Sequence, residues 1–139
     1  MIASGVGARS DVELRLPADG AYASVLRTLS AGLAARLDFT MDDIEDLRIA
    51  VSEATAMVLD QAEAGADLVC RFRLEPGKLR LEVSTASESP AAPDYENFGW
   101  QVLTTLTTEA AVDTEPGQYA VRITVRSSLD PTAVDGAGL

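Results

Sequence analysis

Leu68-Val69-Cys70-Arg71-Phe72-Arg73-Leu74 is followed, across Glu75-Pro76-Gly77-Lys78, by Leu79-Arg80-Leu81-Glu82-Val83. Apolar and polar residues alternate in both runs, the pattern of a strand that buries one face, and Pro and Gly stand between them where a turn favours them. The two runs predict an antiparallel hairpin. By the same alternation Arg71 and Arg73 share one face of their strand.

Upstream, Val12-Glu13-Leu14-Arg15-Leu16 has the same period and stops at Pro17, predicting a further strand. Asp19 suits an N-cap. Val25, Leu26, Leu29, Leu33 and Leu37 then recur at helical spacing, predicting a helix of about four turns that exposes Arg27, Ser30 and Arg36. Thr40 with Asp43 three residues later forms a capping-box pattern, and Asp42, Asp43 and Glu45 suit a helix N-terminus. The second helix has Ile44, Leu47, Val51, Ala54 and Val58 as its core face, runs to about Gln61 and is closed by Gly65. Downstream, 84–94 is rich in Ser, Ala and Pro without periodicity and reads as a loop, long enough in so small a domain to suggest function. Phe98, Val102, Leu103 and Leu106 restore helical spacing over 95–108. Two strands, 111–113 and 119–125, follow around Glu115-Pro116-Gly117.

The order is β-α-α-β-β-α-β-β, an α+β domain with helices packed on one face of a mostly antiparallel sheet. The domain is expected to span 11–127, between a flexible 1–10 and a disordered tail at 128–139, which holds two glycines and a proline with little apolar pattern. At 139 residues and 47% hydrophobic the chain has the material for one core. Its 11 Lys and Arg against 22 Asp and Glu give a net charge of −11 and argue against a phosphate-binding nucleic-acid surface. An effect on transcription would therefore be exerted by holding a protein. The chain has no histidine, which removes Ser-His-Asp, Cys-His and most zinc-hydrolase chemistry, so no metal site is expected from these ligands. The single cysteine, Cys70, has no partner for an internal disulfide and reads as a buried, inert thiol. No secretory signal is visible in 1–10, and no stretch approaches the roughly 20 apolar residues of a membrane-spanning helix, so a soluble cytoplasmic protein is expected.

Within this frame, Leu47-Arg48-Ile49-Ala50-Val51-Ser52-Glu53-Ala54 resembles the N-box helix of the anti-sigma factor serine kinases, a branch of the GHKL superfamily of histidine-kinase-like ATPases. The resemblance spans about 11–127, including element order, and implies a single-domain GHKL, or Bergerat-like, sandwich. In that family the helix reads roughly S-E-A-x-x-N: the Glu is a general base toward a serine hydroxyl, and the Asn holds the magnesium bridging the ATP phosphates. Glu53 matches the base, which makes it the candidate catalytic residue. Met57 stands at the Asn position, and a thioether is too soft to hold magnesium. The family's D-x-G-x-G, whose Asp binds the adenine amino group, aligns with Thr85-Ala86-Ser87-Glu88-Ser89, which has neither the Asp nor the glycines. Tyr95-Glu96-Asn97-Phe98-Gly99-Trp100-Gln101-Val102-Leu103 resembles the segment where a Gly-containing loop enters a helix beside the nucleotide phosphates, and is closest to the F-x-W-x-V-L type of degenerate anti-sigma factors. The pocket lining implied is Met57, Thr85, Ser87, Phe98, Gly99 and Trp100.

The resemblance implies a bacterial anti-sigma factor that sequesters a sigma factor of the general stress or sporulation type, is released by a STAS-domain anti-anti-sigma protein, and forms a homodimer, with no nucleic acid or membrane among its partners. With both motif residues replaced, little or no kinase activity is expected, and no certain cofactor: ATP with magnesium is the family's ligand. Two alternatives stand beside this: an active serine kinase acting on its STAS partner, and a sensor whose reshaped pocket takes another phosphorylated metabolite through Arg71, Arg73 and Arg80. Without the resemblance, Glu53 is a helix carboxylate in water or an ion pair, Met57 a gap filler, Trp100 a packing residue, and the acidic 42–46 run a charged helix start.

Overall fold

The computed structural model describes residues 10–129. Five strands form one sheet in the order β1-β2-β3-β5-β4, every neighbouring pair antiparallel: β1 (Val12–Pro17), β2 (Asp67–Glu75), β3 (Lys78–Ala86), β4 (Glu109–Asp113) and β5 (Gln118–Arg126). Three helices, α1 (Ala23–Arg36), α2 (Met41–Leu59) and α3 (Phe98–Leu106), complete an α+β sandwich with the expected element order, a single helical turn at Gly20–Tyr22 preceding α1.

The hairpin forms as its alternation requires. Phe72 pairs with Leu81 and Glu75 with Lys78, leaving Pro76-Gly77 as the loop, and Gly77 takes a left-handed φ of 71° that a residue with a Cβ rarely adopts. One face of the sheet turns Leu68, Cys70, Phe72, Leu79, Leu81, Val83, Val121 and Ile123 into the core, where Leu26, Leu47, Val51, Ala54, Val58 and Leu103 of the helices meet them. Burial pushes the Cys70 thiol up to about 12, which makes it unreactive at neutral pH.

The local signals at the helix starts act as read. Asp19 accepts from the Ala21 N–H at 2.9 Å. Thr40 and Asp43 close a capping box, each side chain accepting from the other's N–H at 3.1 Å. The Asp43 carboxylate also accepts from the N–H and hydroxyl of Ser128, both at 3.0 Å. Burial alone would raise the Asp43 pKa, but these bonds from Ser128 and Thr40 outweigh it and hold the group below the usual aspartate value.

Several expectations are corrected. Ser30, expected in solvent, is buried, and Val25, expected inside, is exposed. The core stripe of α1 runs through Leu26, Ser30 and Ala34, the small side chains of Ser30 and Ala34 allowing close approach, while the Ser30 hydroxyl donates to the Leu26 carbonyl at 2.8 Å. The stretch read as a loop from residue 84 is strand as far as Ala86, because Thr85 and Ala86 pair with Tyr119 and Gln118 of β5. Helix α3 begins at Phe98, not near Tyr95: Asp94 accepts from the Glu96 N–H and holds the preceding turn, and Asn97 caps the helix. Strand β4 starts at Glu109, two residues before the alternation at 111 shows it. Residues 1–9 and 130–139, most of the expected flexible ends, lie outside the described residues, whereas Ser128, read as part of the tail, is bound to Asp43.

Candidate functional site

Helix α2 buries Leu47, Ala50, Val51, Ala54 and Val58, which leaves Glu53 and Met57, one turn apart, half-buried on its flank. Helix α3 packs against α2, and its first turn meets that flank. A Cβ added at Gly99 would stand 2.7 Å from Glu53 Oε1 and 3.0 Å from Asn97 Oδ1, so glycine is what lets the Glu53 carboxylate reach the backbone of α3. Asn97 Oδ1 accepts from the N–H groups of Gly99 at 2.6 Å and Trp100 at 3.3 Å. The start of α3, where free N–H groups carry partial positive charge, is thus capped by the Asn97 side chain, with the Glu53 carboxylate close beside it.

The other expected pocket residues have contacts of different kinds. Met57 packs against the core. Trp100 does the same, and its ring meets that of Tyr95 at a centroid distance of 5.1 Å and an interplanar angle of 57°. Phe98 is 78% exposed, a large apolar side chain in water at the first position of α3. Thr85 is buried within β3 and its hydroxyl donates to the Asp67 carbonyl at 2.9 Å. Ser87 is buried just beyond the strand, where its N–H donates to the Gly117 carbonyl at 3.1 Å.

Two residues outside the expected pocket lining join these contacts. Asn97 is one; its place immediately before Phe98 and Gly99 is a capping signal legible in the sequence. Tyr119 is the other. It lies directly opposite Thr85, is buried in the core, and has its pKa raised by burial first and then by Asp60, the C-cap of α2, and Tyr95. Only the register of β3 against β5 reveals its place opposite Thr85.

The arginines are elsewhere. Arg71, Arg73 and Arg80 lie on the face of the sheet turned away from the helices, together with Arg122. The arrangement required by a metabolite pocket combining these arginines with the α2–α3 residues does not occur: the sheet separates them. Among the described residues no helix is long and apolar enough to cross a membrane.

No family model matches the chain. It is 35% identical over 79 residues to the serine-protein kinase RsbW of Halalkalibacterium halodurans, a match covering 56% of this chain and 49% of that one. It is also 35% identical to proteins of the same name from Bacillus velezensis, over 81 residues covering 56% of this chain and 51% of the relative, and from Bacillus thuringiensis, over 89 residues covering 63% and 54%. The chain thus spans about half the length of the curated relatives it matches. Among solved structures it is similar to the RsbU and RsbW domains of Rv1364c from Mycobacterium tuberculosis, with a TM-score of 0.67 at 19% identity over 84% of this chain and 31% of that one. The histidine kinase domain of the blue-light activated kinase of Erythrobacter litoralis aligns with a TM-score of 0.54 at 21% identity, over 67% of this chain and 48% of that chain. The fold is the GHKL sandwich, and the resemblance to the anti-sigma factor serine kinases holds in sequence as well as in architecture.

Proposed function

We propose that this chain is an anti-sigma factor of the partner-switching type, which sequesters a stress or sporulation sigma factor and yields it to a STAS-domain competitor, with little or no kinase activity of its own. The likeness to the RsbW serine-protein kinases supplies the class. The single observation that carries the rest is the contact of the Glu53 carboxylate with the start of α3 at Gly99.

A helix start with unoccupied N–H groups suits a phosphate. Here Asn97 accepts two of those N–H groups, and Glu53 adds a negative charge that would repel a nucleotide's phosphates. Met57 offers no hard oxygen to a magnesium ion and is packed against the core, and the buried Thr85 hydroxyl is engaged within the sheet. The residues gathered here do not fit a magnesium nucleotide held in the family's manner, and no phosphoryl transfer is derived for them. A carboxylate can act as a general base only when donor and acceptor are positioned against it. Glu53 instead complements the positive end of α3.

Binding through protein contacts draws support from Phe98, exposed where α3 begins, and from Ile49, exposed one turn before Glu53 on α2. Large apolar side chains left in water beside each other's elements suit a partner surface. A homodimer in solution and a cytoplasmic location are part of the same proposal.

Titration calorimetry with Mg-ATP and Mg-ADP tests the pocket. No heat of binding from the natural protein is expected; micromolar binding, with phosphate transferred to a STAS protein and lost in Glu53→Gln, would instead establish an active kinase. Co-purification tests the partner: a sigma factor should be retained by the protein, displaced by excess STAS protein, and bound less well by Phe98→Ala.

A further inference from the structure

The open face of the sheet combines a concave shape with a local charge opposite to that of the whole chain. It forms a concavity of about 1230 Å3 to which Arg71, Arg73, Arg80 and Arg122 all contribute. These are four of only 11 basic residues in a chain of net charge −11. Arg73 and Arg80 stand directly opposite each other on β2 and β3, and Arg122 follows on β5, where its pairing with Glu82 places it diagonally from Arg80. The three cross adjacent strands spaced about 4.8 Å apart, so their side chains leave the sheet within about 12 Å of one another.

Arg71 is already engaged, by Glu13 at 2.9 Å and Glu82 at 3.6 Å. Arg80 and Arg122 differ: both are exposed, and among the described residues neither guanidinium has an ion-pair or hydrogen-bond partner. Carboxylates set between the Arg80 and Arg122 guanidiniums would pair with them in charge-assisted hydrogen bonds. Beside the arginines the floor is low, with Thr124 next to Arg80 and Ala111 beyond Arg122, so a polypeptide can approach the strands closely.

We propose that this face binds an acidic segment of a partner protein, with Arg80 and Arg122 as its principal contacts and Arg73 beside them. An extended acidic segment places alternate carboxylates about 6.5–7 Å apart on one side, a spacing that matches diagonal arginines on neighbouring strands. The face is open, whereas small-molecule sites enclose most of their ligand. A nucleic acid would bring a long array of phosphates against a chain of net charge −11, whereas a short acidic peptide covers only this face, where four arginines outnumber Glu82 and Glu109.

The experiment is fluorescence anisotropy of the natural protein with fluorescein-labelled hexaglutamate at low salt, with a single-stranded oligonucleotide of equal charge in parallel. Saturable binding of hexaglutamate is expected, at least tenfold weaker in Arg80→Glu/Arg122→Glu, weakened less by Arg80→Gln/Arg122→Gln, and unchanged by Arg27→Glu on α1. Both double variants replace exposed side chains, and circular dichroism verifies their fold. Absence of saturable binding, equal weakening by Arg27→Glu, or tighter binding of the oligonucleotide would each overturn the proposal. So would sedimentation showing that the glutamate variant turns a dimer into a monomer, since a second copy would then cover the face. None of these readouts involves the α2–α3 site, so the two proposals can fail separately.

Discussion

The two faces of the one sheet are made from alternate residues of the same strands, yet they do opposite work. On β2, Leu68, Cys70 and Phe72 are fully buried beneath the helices, while Arg71 and Arg73 between and beyond them look outward. On β5 the same holds for Val121 and Ile123 against Arg122. Burial of a large apolar side chain is worth a few kcal/mol, and an exposed ion pair about 1 kcal/mol or less. The fold is therefore held almost entirely from the inner face, which leaves the outer one free to carry charge in a pattern that stability does not require.

The largest expected effect lies on the inner face. Phe72→Ala should lower the unfolding free energy by about 3–5 kcal/mol in urea titrations, because the core around a fully buried aromatic cannot collapse onto the space it leaves. At the edge of the same core, Thr40→Ala should cost about 1 kcal/mol by removing one half of the capping box. Arg71→Ala, on the outer face, should cost about 1 kcal/mol or less although it breaks contacts with both Glu13 and Glu82; a loss as large as that of Phe72→Ala would end the contrast between the faces.

Asp43 gives the smallest and most selective test. Its pKa is lower folded than unfolded, so the stability it contributes is present above the ordinary aspartate value and is lost as pH falls through the lowered one. Asp43→Asn should be less stable than the natural protein at pH 7, and the gap should narrow in thermal melts below that window. A gap independent of pH would mean that the charge on Asp43 plays no part in the bonds from Thr40 and Ser128.

Much of this was legible in the sequence, for identifiable reasons. Period-two alternation disclosed the β2–β3 hairpin and the side on which Arg71 and Arg73 lie. The capping box at Thr40 and the cap at Asp19 are contacts within three residues, which a linear reading can find. The N-box pattern around Glu53 selected the helix that faces α3. Where the reading slipped, the deciding contacts were distant: Ser84 and Thr85 carry no apolar alternation, and only pairing with β2 and β5 makes them strand. Ser30 went to the wrong side of α1 because its polarity was weighed and the close packing of α1 against α2 could not be.

The sequence by itself determined the element order, the α+β class and the anti-sigma kinase resemblance, since periodicity, caps and residue identity are local properties. Only the tertiary structure decided that Glu53 meets Gly99, that Tyr119 fills the space opposite Thr85, and that the arginines and the α2–α3 site lie on opposite sides of the sheet. Those are matters of register and helix docking, set by which buried surfaces fit together, and no short window of sequence contains both partners of such a contact.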